Sequence, residues 1–275
     1  MDAQREVVSI IVPTRNSSIA LERCLISIRS QTYPHIELIV VDNYSRDRTA
    51  AIAVAYSHQL LVRGPERSAQ RNAGARAAHG AWLLFVDSDM ELDPHLVETC
   101  VAAIAGAPSY RALILPERSQ GDGFWARCKA LERSCYSGDD TVEAARFYDR
   151  EVFEQVGGFD RDLSAFEDWD LHRRVEQLAP YGVGRAGSWI THHEGHLTLR
   201  AAIAKKYAYG RHFARYVAMH GILSATLQVQ PLRPAYLRHW RILLADPLHL
   251  AGMLLLRTAE VSAGAVGALT GLPVR

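Results

Sequence analysis

Residues 83–92, LLFVDSDMEL, run four apolar residues straight into two aspartates separated by a serine. The apolar part suits a buried strand, and the carboxylates mark its end. Capping the following helix does not require either aspartate. That helix has its own start in LDPHL, where Asp93 can serve as N-cap and Pro94 as the first helical residue. Asp87 and Asp89 are therefore available for another role at the carboxyl end of a strand.

Working outward, the same punctuation recurs. VVSIIV is a second short apolar run, ending at Pro13, and Leu21, Cys24, Leu25 and Ile28 follow it at helical spacing. LIVV (38–41) reads as another buried strand with Asp42 at its end, followed by a helix through RTAAIAVAYS and a short strand LLV (60–62). Ser68 can cap a third helix that Gly80 closes, and WLLFV (82–86) leads into the aspartates. Strands alternating with helices predict an α/β domain with a mostly parallel central sheet flanked by helices. Ligands in such sheets sit beyond the carboxyl ends of the strands. Asp42, Asp87 and Asp89 all fall there. The pattern loosens after ALILP (112–116) and turns wholly helical from about residue 197.

With 275 residues, 48% of them hydrophobic, the chain can bury a core large enough for one big domain or a domain with an appendage. Lys and Arg number 31 against 30 Asp and Glu, a balance that gives no reason to expect nucleic acid as a partner. Cys24, Cys100, Cys128 and Cys135 form no CxxC pair, and no signal peptide precedes VVSIIV, so reduced thiols and a cytoplasmic location are expected. Asp246, Arg257 and Glu260 interrupt the C-terminal apolar region, from which no transmembrane helix is expected.

Four strings occur in order: VSIIVPTRN, SIRSQTYPHIELIVVDNYSRDRTA, AQRNAGARAAHGAWLLFVDSDMEL and GGFDRDLSAFEDWDLHRRV. Together they resemble the family-2 glycosyltransferases of the GT-A fold, over roughly the first three quarters of the chain. The resemblance implies transfer of a sugar from a nucleoside diphosphate donor, a UDP- or GDP-sugar, with inversion at the anomeric carbon. It also implies Mn²⁺ or Mg²⁺, hard cations that prefer carboxylate oxygens and neutralise a departing diphosphate. By resemblance Asp89 is the direct metal ligand, Asp87 holds the donor's ribose or the metal shell, and Ser88 belongs to the same donor site. Pro13 and Thr14 line the nucleotide pocket, and Asp42 accepts a hydrogen bond from the base. Read without the resemblance, Asp42 in VDNYSRD is a turn former. Arg71 in QRNAG lies near the donor by resemblance, and a solvated helix face is its plainer reading. Arg15 can be no more than a surface charge, while Asn72 and Gly74 serve local geometry.

FEDWDLHRRV matches the family's second acidic motif, on a helix whose buried face is marked by Leu171, Val175 and Leu178. Inversion needs one base to deprotonate the acceptor hydroxyl. The resemblance gives that role to Asp168, with Glu167 as the fallback and Asp170 as a helix-surface or acceptor-side residue. In WITHHEGHLTL, His192 fits a late histidine that completes the metal site. His193 would point the opposite way along a strand, and His196 is the third candidate.

The expected domains are a catalytic domain over 1–196, with nucleotide-sugar binding in 1–92 and the acceptor and catalytic part in 93–196, and a helical extension over 197–275. In that extension LRAAIAKKYAYGRHFARY mixes basic and aromatic residues. It reads either as a lid on the catalytic domain or as helices resting on the inner face of an anionic membrane, admitting a lipid-linked or cell-surface glycan acceptor. The QxxRW motif of processive polymer synthases is missing, which favours transfer of a single sugar. A dinucleotide dehydrogenase would need GxGxxG after the first strand, and VPTRNSS has no glycine. No P-loop is present either. The rival from another class is a non-catalytic nucleotide-sugar-binding protein of the same fold.

Overall fold

The computed structural model describes residues 6–139, 142–163, 165–221, 230 and 233–271. In chain order the first elements are β1 (Val8–Thr14), α1 (Ser18–Arg29), β2 (Ile36–Asp42), α2 (Thr49–Tyr56), β3 (Gln59–Val62), α3 (Arg67–Ala77) and β4 (Trp82–Phe85). Then come β5 (Met90–Leu92), α4 (Leu96–Gly106), β6 (Ala112–Ile114), β7 (Glu117–Asp122), α5 (Phe124–Ser134), β8 (Ala145–Asp149) and α6 (Arg150–Gln155). The described remainder holds α7 (Glu167–Leu178), β9 (Val183–Arg185), β10 (Ile190–His196), α8 (Leu199–Gly210), α9 (Phe213–His220), α10 (Pro234–Arg238), α11 (Trp240–Ala245) and α12 (Pro247–Thr270). Two compact units share these elements.

The first unit takes the chain up to Glu117, Ala144–Arg161 and Glu167–His192. Its seven-stranded sheet has the order β3-β2-β1-β4-β8-β6-β9. β1 pairs in parallel with both β2 and β4, β2 with β3, and β6 with β9, while β8 runs antiparallel between β4 and β6. The central strands are apolar throughout because both faces are covered. Val8, Ile10 and Val12 face one core with Leu38, Val40 and Leu84, against Leu21, Leu25 and Ile28 of α1 and Val97, Cys100 and Ile104 of α4. Ile11 faces the other core with Ile39, Val41 and Phe85, against Ala73 of α3 and Leu171 and Val175 of α7. Gly74 lets α3 lie close on that face, since a Cβ there would meet the Ile11 and Val41 side chains. The strand order reverses at β1, so the ends of β1, β2 and β4 open onto one crevice. Beyond it, Ile190–His192 of β10 pair antiparallel with β5.

Several local expectations shift. Pro13 does not end β1, which runs on to Thr14. The third helix is capped by Glu66, whose carboxylate accepts from Ser68 N and Ala69 N at 2.7 Å, and Ser68 lies inside the helix. α4 starts at Leu96, two residues after Pro94, because Asp93 closes a tight turn: its Oδ1 accepts from His95 N at 3.0 Å. Leu178, expected on the buried face of α7, is exposed.

The second unit comprises Arg118–Glu143, Asp162–Phe166 and the chain from His193 onward. Its small apolar core gathers Cys128, Cys135, Ala202, Tyr236, Leu243, Met253 and Leu256. α12 packs along α8 by backbone contact, since a Cβ on Gly210 would strike Gly264 O and one on Gly267 would strike Tyr207 O. Against α5 it places Glu260, which accepts from Lys129 Nζ at 3.0 Å, and Arg257, whose Nε lies 3.7 Å from Glu132 Oε1. Lys129 also donates to Glu132 at 2.8 Å, and Tyr136 and Tyr236 close the group. Contrary to the sequence expectation, α12 is unbroken over 24 residues and is long and apolar enough, by length and composition, to cross a membrane. Arg257 and Glu260 do not interrupt it, since both are good helix formers, and their charges are paired within the unit, while Asp246 stands just outside as its N-cap. All four cysteines are free and buried.

Candidate active site

Arg71 organises the crevice. It sits on α3 with no exposed side-chain surface, and its guanidinium forks between two motifs far apart in the chain. Nη1 donates to Asp168 Oδ1 at 2.7 Å and Nη2 donates to Asp87 Oδ1 at 2.7 Å. Glu167 Oε1 lies 3.5 Å from Nη1, and the guanidinium carbon stands 5.0 Å over the Phe159 ring. Phe159 is itself clamped by Asn72, which donates to its carbonyl at 2.8 Å and accepts from its N–H at 2.9 Å. A guanidinium is suited to this position because it offers several donors in one plane and keeps its charge when buried.

Two more arginines surround Asp87. Arg67 lies one turn before Arg71 on α3, 3.7 Å from Asp87 and 3.6 Å from Glu167. Arg146 of β8 lies 3.6 Å from Asp87 and donates to Glu117 at 2.6 Å. Burial pushes the Asp87 carboxyl up, but the charges of Arg71, Arg67 and Arg146 outweigh it and hold the group well below the usual carboxylate range. Glu167 moves the other way. Burial, followed by the neighbouring Asp168 charge, pushes it up to about 7 despite Arg71 and Arg67. The sequence reading passed over Arg67 and Arg146. The i,i+4 spacing of Arg67 and Arg71 was available as a signal, whereas Arg146 reaches the site only through the sheet.

Asp89 turns away from this cluster. Its side chain is half exposed, and Oδ2 lies 3.1 Å from Nε2 of His192. The antiparallel register that sets His192 opposite Met90 brings the two together. The two carboxylates of DSD thus serve separate surroundings, Asp87 with arginines and Asp89 with a histidine. Among the described residues no group of three or more His, Cys, Asp or Glu is placed to hold a metal. Asp89 and His192 still make a chemically suitable pair, since oxygen and imidazole nitrogen both suit Mn²⁺.

The nucleotide-side residues gather at the ends of β1 and β2. Thr14 is buried with its hydroxyl unpartnered, and its carbonyl accepts from Gln70 Nε2 at 3.0 Å and from Asn43 N at 2.9 Å. Pro13 lies beside it in the strand. Asp42 accepts from Ser45 N at 2.9 Å and from the Ser45 hydroxyl, so its carboxylate closes the 42–45 turn. Ser88 donates to Ser17 Oγ at 3.1 Å, and Arg15 is exposed. Asp170 is fully buried rather than on the helix surface. It accepts from Arg174 Nε at 3.0 Å, and Arg174 in turn donates to the carbonyls of Val156 and Gly158. Its task is to hold the Gly157–Gly158 turn.

A family model for glycosyl transferase family 2 matches residues 9–159. An uncharacterized glycosyltransferase of Haemophilus influenzae is 27% identical over 203 residues, 68% of this chain and 69% of its own length. A PGL/p-HBAD biosynthesis glycosyltransferase of Mycobacterium bovis is 30% identical over 175 residues, 60% of this chain and 68% of its own. Among solved structures, the mannosyltransferase PcManGT from Pyrobaculum calidifontis, in complex with GDP-Man and Mn²⁺, superposes with a TM-score of 0.64 at 21% identity, covering 96% of this chain and 87% of that one. TarS 1–349 of S. aureus, in complex with UDP-GlcNAc, gives 0.56 at 16% identity, with 96% and 91% covered. These likenesses agree on the GT-A fold.

Proposed function

Because this chain belongs to glycosyl transferase family 2, a family of sugar transferases, we propose that it moves a single sugar from a UDP- or GDP-sugar to an acceptor hydroxyl with inversion. The observation that carries this reading is the Arg71 fork, which ties Asp87 at the end of the sheet to Asp168 on α7. Inversion requires a base on the side opposite the leaving diphosphate. The Asp168 side chain is 33% exposed and that of Glu167 is 4%, so Asp168 is the acid an acceptor can reach. Arg71 engages Oδ1 of Asp168, which leaves Oδ2 to take the hydroxyl proton. Asp87, kept ionised by three arginines, orients the donor, with Ser88, Thr14, Pro13 and Asp42 around the nucleotide. Asp89 and His192 would hold Mn²⁺ or Mg²⁺, which when bound supplies positive charge to the departing diphosphate. The nucleotide-sugar and Mn²⁺ complexes of the structural neighbours support both the donor class and the metal.

The acceptor class in this reading is a lipid-linked or cell-surface glycan intermediate, met at the inner face of the cell membrane. The test is direct. Incubation with UDP- and GDP-sugars and Mn²⁺ should release nucleoside diphosphate. Release should be slow with water as acceptor and faster when a lipid-linked glycan fraction supplies the hydroxyl that takes the sugar. Asp168→Asn should bind donor normally while transfer falls at least about a hundredfold, the scale of a lost general base. Donor binding with no release by the unaltered protein would favour the non-catalytic rival. Substantial transfer by Asp168→Asn would move the base to Glu167.

A further inference from the structure

We propose that the α10–α11 segment of the second unit is a surface that docks on an anionic lipid bilayer. Leu243 is the buried large side chain of α11, whereas Trp240, Ile242 and Leu244 are exposed. Leu237 before it is 80% exposed and Leu248 after it 65%. Single exposed apolar side chains are ordinary. Five large ones within residues 237–248 form a run that water does not favour. Arg238 and Arg241 are exposed among them, and the Arg241 guanidinium lies 5.4 Å over the Trp240 ring. Tryptophan with leucines, flanked by arginines, is the composition that settles at the headgroup boundary of a membrane.

Charge selects the occupant. Residues 197–275 hold ten Lys and Arg against two acids, although the whole chain carries only +1. Both acids are engaged internally. Asp246 caps α12, accepting from His249 N at 3.2 Å, and Glu260 pairs with Lys129. Arg215 pairs with Asp162 and Arg257 with Glu132. Arg238 and Arg241, exposed beside the apolar run, have no acid in ion-pair range among the described residues, and an anionic lipid surface supplies that charge. A second copy of the chain docking through the same face would set Arg238 and Arg241 against their own counterparts, a like-charge arrangement. Insertion of α12 across the bilayer would carry Arg257 and Glu260 out of their pairs and into hydrocarbon.

This inference is independent of the transferase reading and is tested without activity. The full-length protein should co-sediment with vesicles rich in phosphatidylglycerol, and rising salt should release it. Arg238→Gln with Arg241→Gln should weaken that binding about thirtyfold, since each surface cation is worth roughly a factor of five. Leu244→Glu should abolish it, with thermal midpoint and nucleotide-sugar affinity unchanged. Three results would overturn the proposal. The first is no vesicle binding by the full chain, and the second is equal binding to pure phosphatidylcholine. The third is a dimer in lipid-free buffer that Leu244→Glu dissolves, which would assign the face to a second copy.

Discussion

Arg71 decides how two acids from distant motifs coexist in one crevice. Asp87 and Asp168 would repel one another in a partly dry site, and the forked guanidinium between them turns that repulsion into two ion pairs. Arg71→Met leaves both carboxylates without their closest partner and is expected to cost about 3 kcal/mol, read from the denaturant midpoint. Arg71→Lys should fail almost as badly, because one ammonium cannot reproduce the two-armed bond. Glu167 provides a second residue-scale prediction. Its folded pKa of about 7 lies above the ordinary carboxylate value of 4.5, so between those values the folded protein keeps a proton that the unfolded chain has lost. Stability must then fall as pH rises through that window, with the full cost present above it. Glu167→Gln removes the group, and its stability between pH 5 and 8 should vary less than that of the parent. Parallel profiles would show that Glu167 keeps an ordinary pKa. The acids of the site were legible because each stands in a short motif at an element's end. The arginines around Asp87 were less so. Nothing local marks Arg146, whose role arises only when β8 is laid beside β4.

At the scale of elements, the starts of helices were the hardest part to read. Glu66 and Ser68 are two residues apart, and either can accept a hydrogen bond from a first-turn N–H. Ser68 is the better cap by preference. Glu66 takes the role because its extended backbone directs both carboxylate oxygens at the N–H groups of Ser68 and Ala69. Ser68 is left inside the helix with a buried hydroxyl that has no partner. Opposite effects follow. Glu66→Ala should lower stability by about 1 kcal/mol. Ser68→Ala should be neutral or raise it, since it deletes an unsatisfied polar group. Thermal midpoints of the two variants check this, and a loss with Ser68→Ala would mean that its hydroxyl finds a partner in solution. Strands were easier. A parallel strand covered on both faces must be apolar along its length, and β1, β2 and β4 announce themselves that way.

For the whole molecule, alternation of strands and helices was enough to place the α/β sheet and its ligand edge, because those are set by contacts between neighbours in the chain. The second unit was not readable in the same manner. Residues 118–143 group with the C-terminal helices through partners such as Lys129 with Glu260 and Tyr136 with Tyr236, more than ninety positions apart. Sequence periodicity carries no signal at that range. The glycine seam between α8 and α12 has a consequence for how the protein is made. α5 and α8 leave the ribosome long before Pro247–Thr270, the helix that covers them both. Until that helix emerges, a nascent chain must carry their apolar faces and the buried Lys129–Glu132 pair in the open, where they can stick to other chains. Purified chains truncated before Pro247 should therefore be cut by protease within residues 118–143, while chains that include Thr270 resist. A side chain in place of Gly210 or Gly267 would hold the seam apart and leave the same surfaces open in the finished protein.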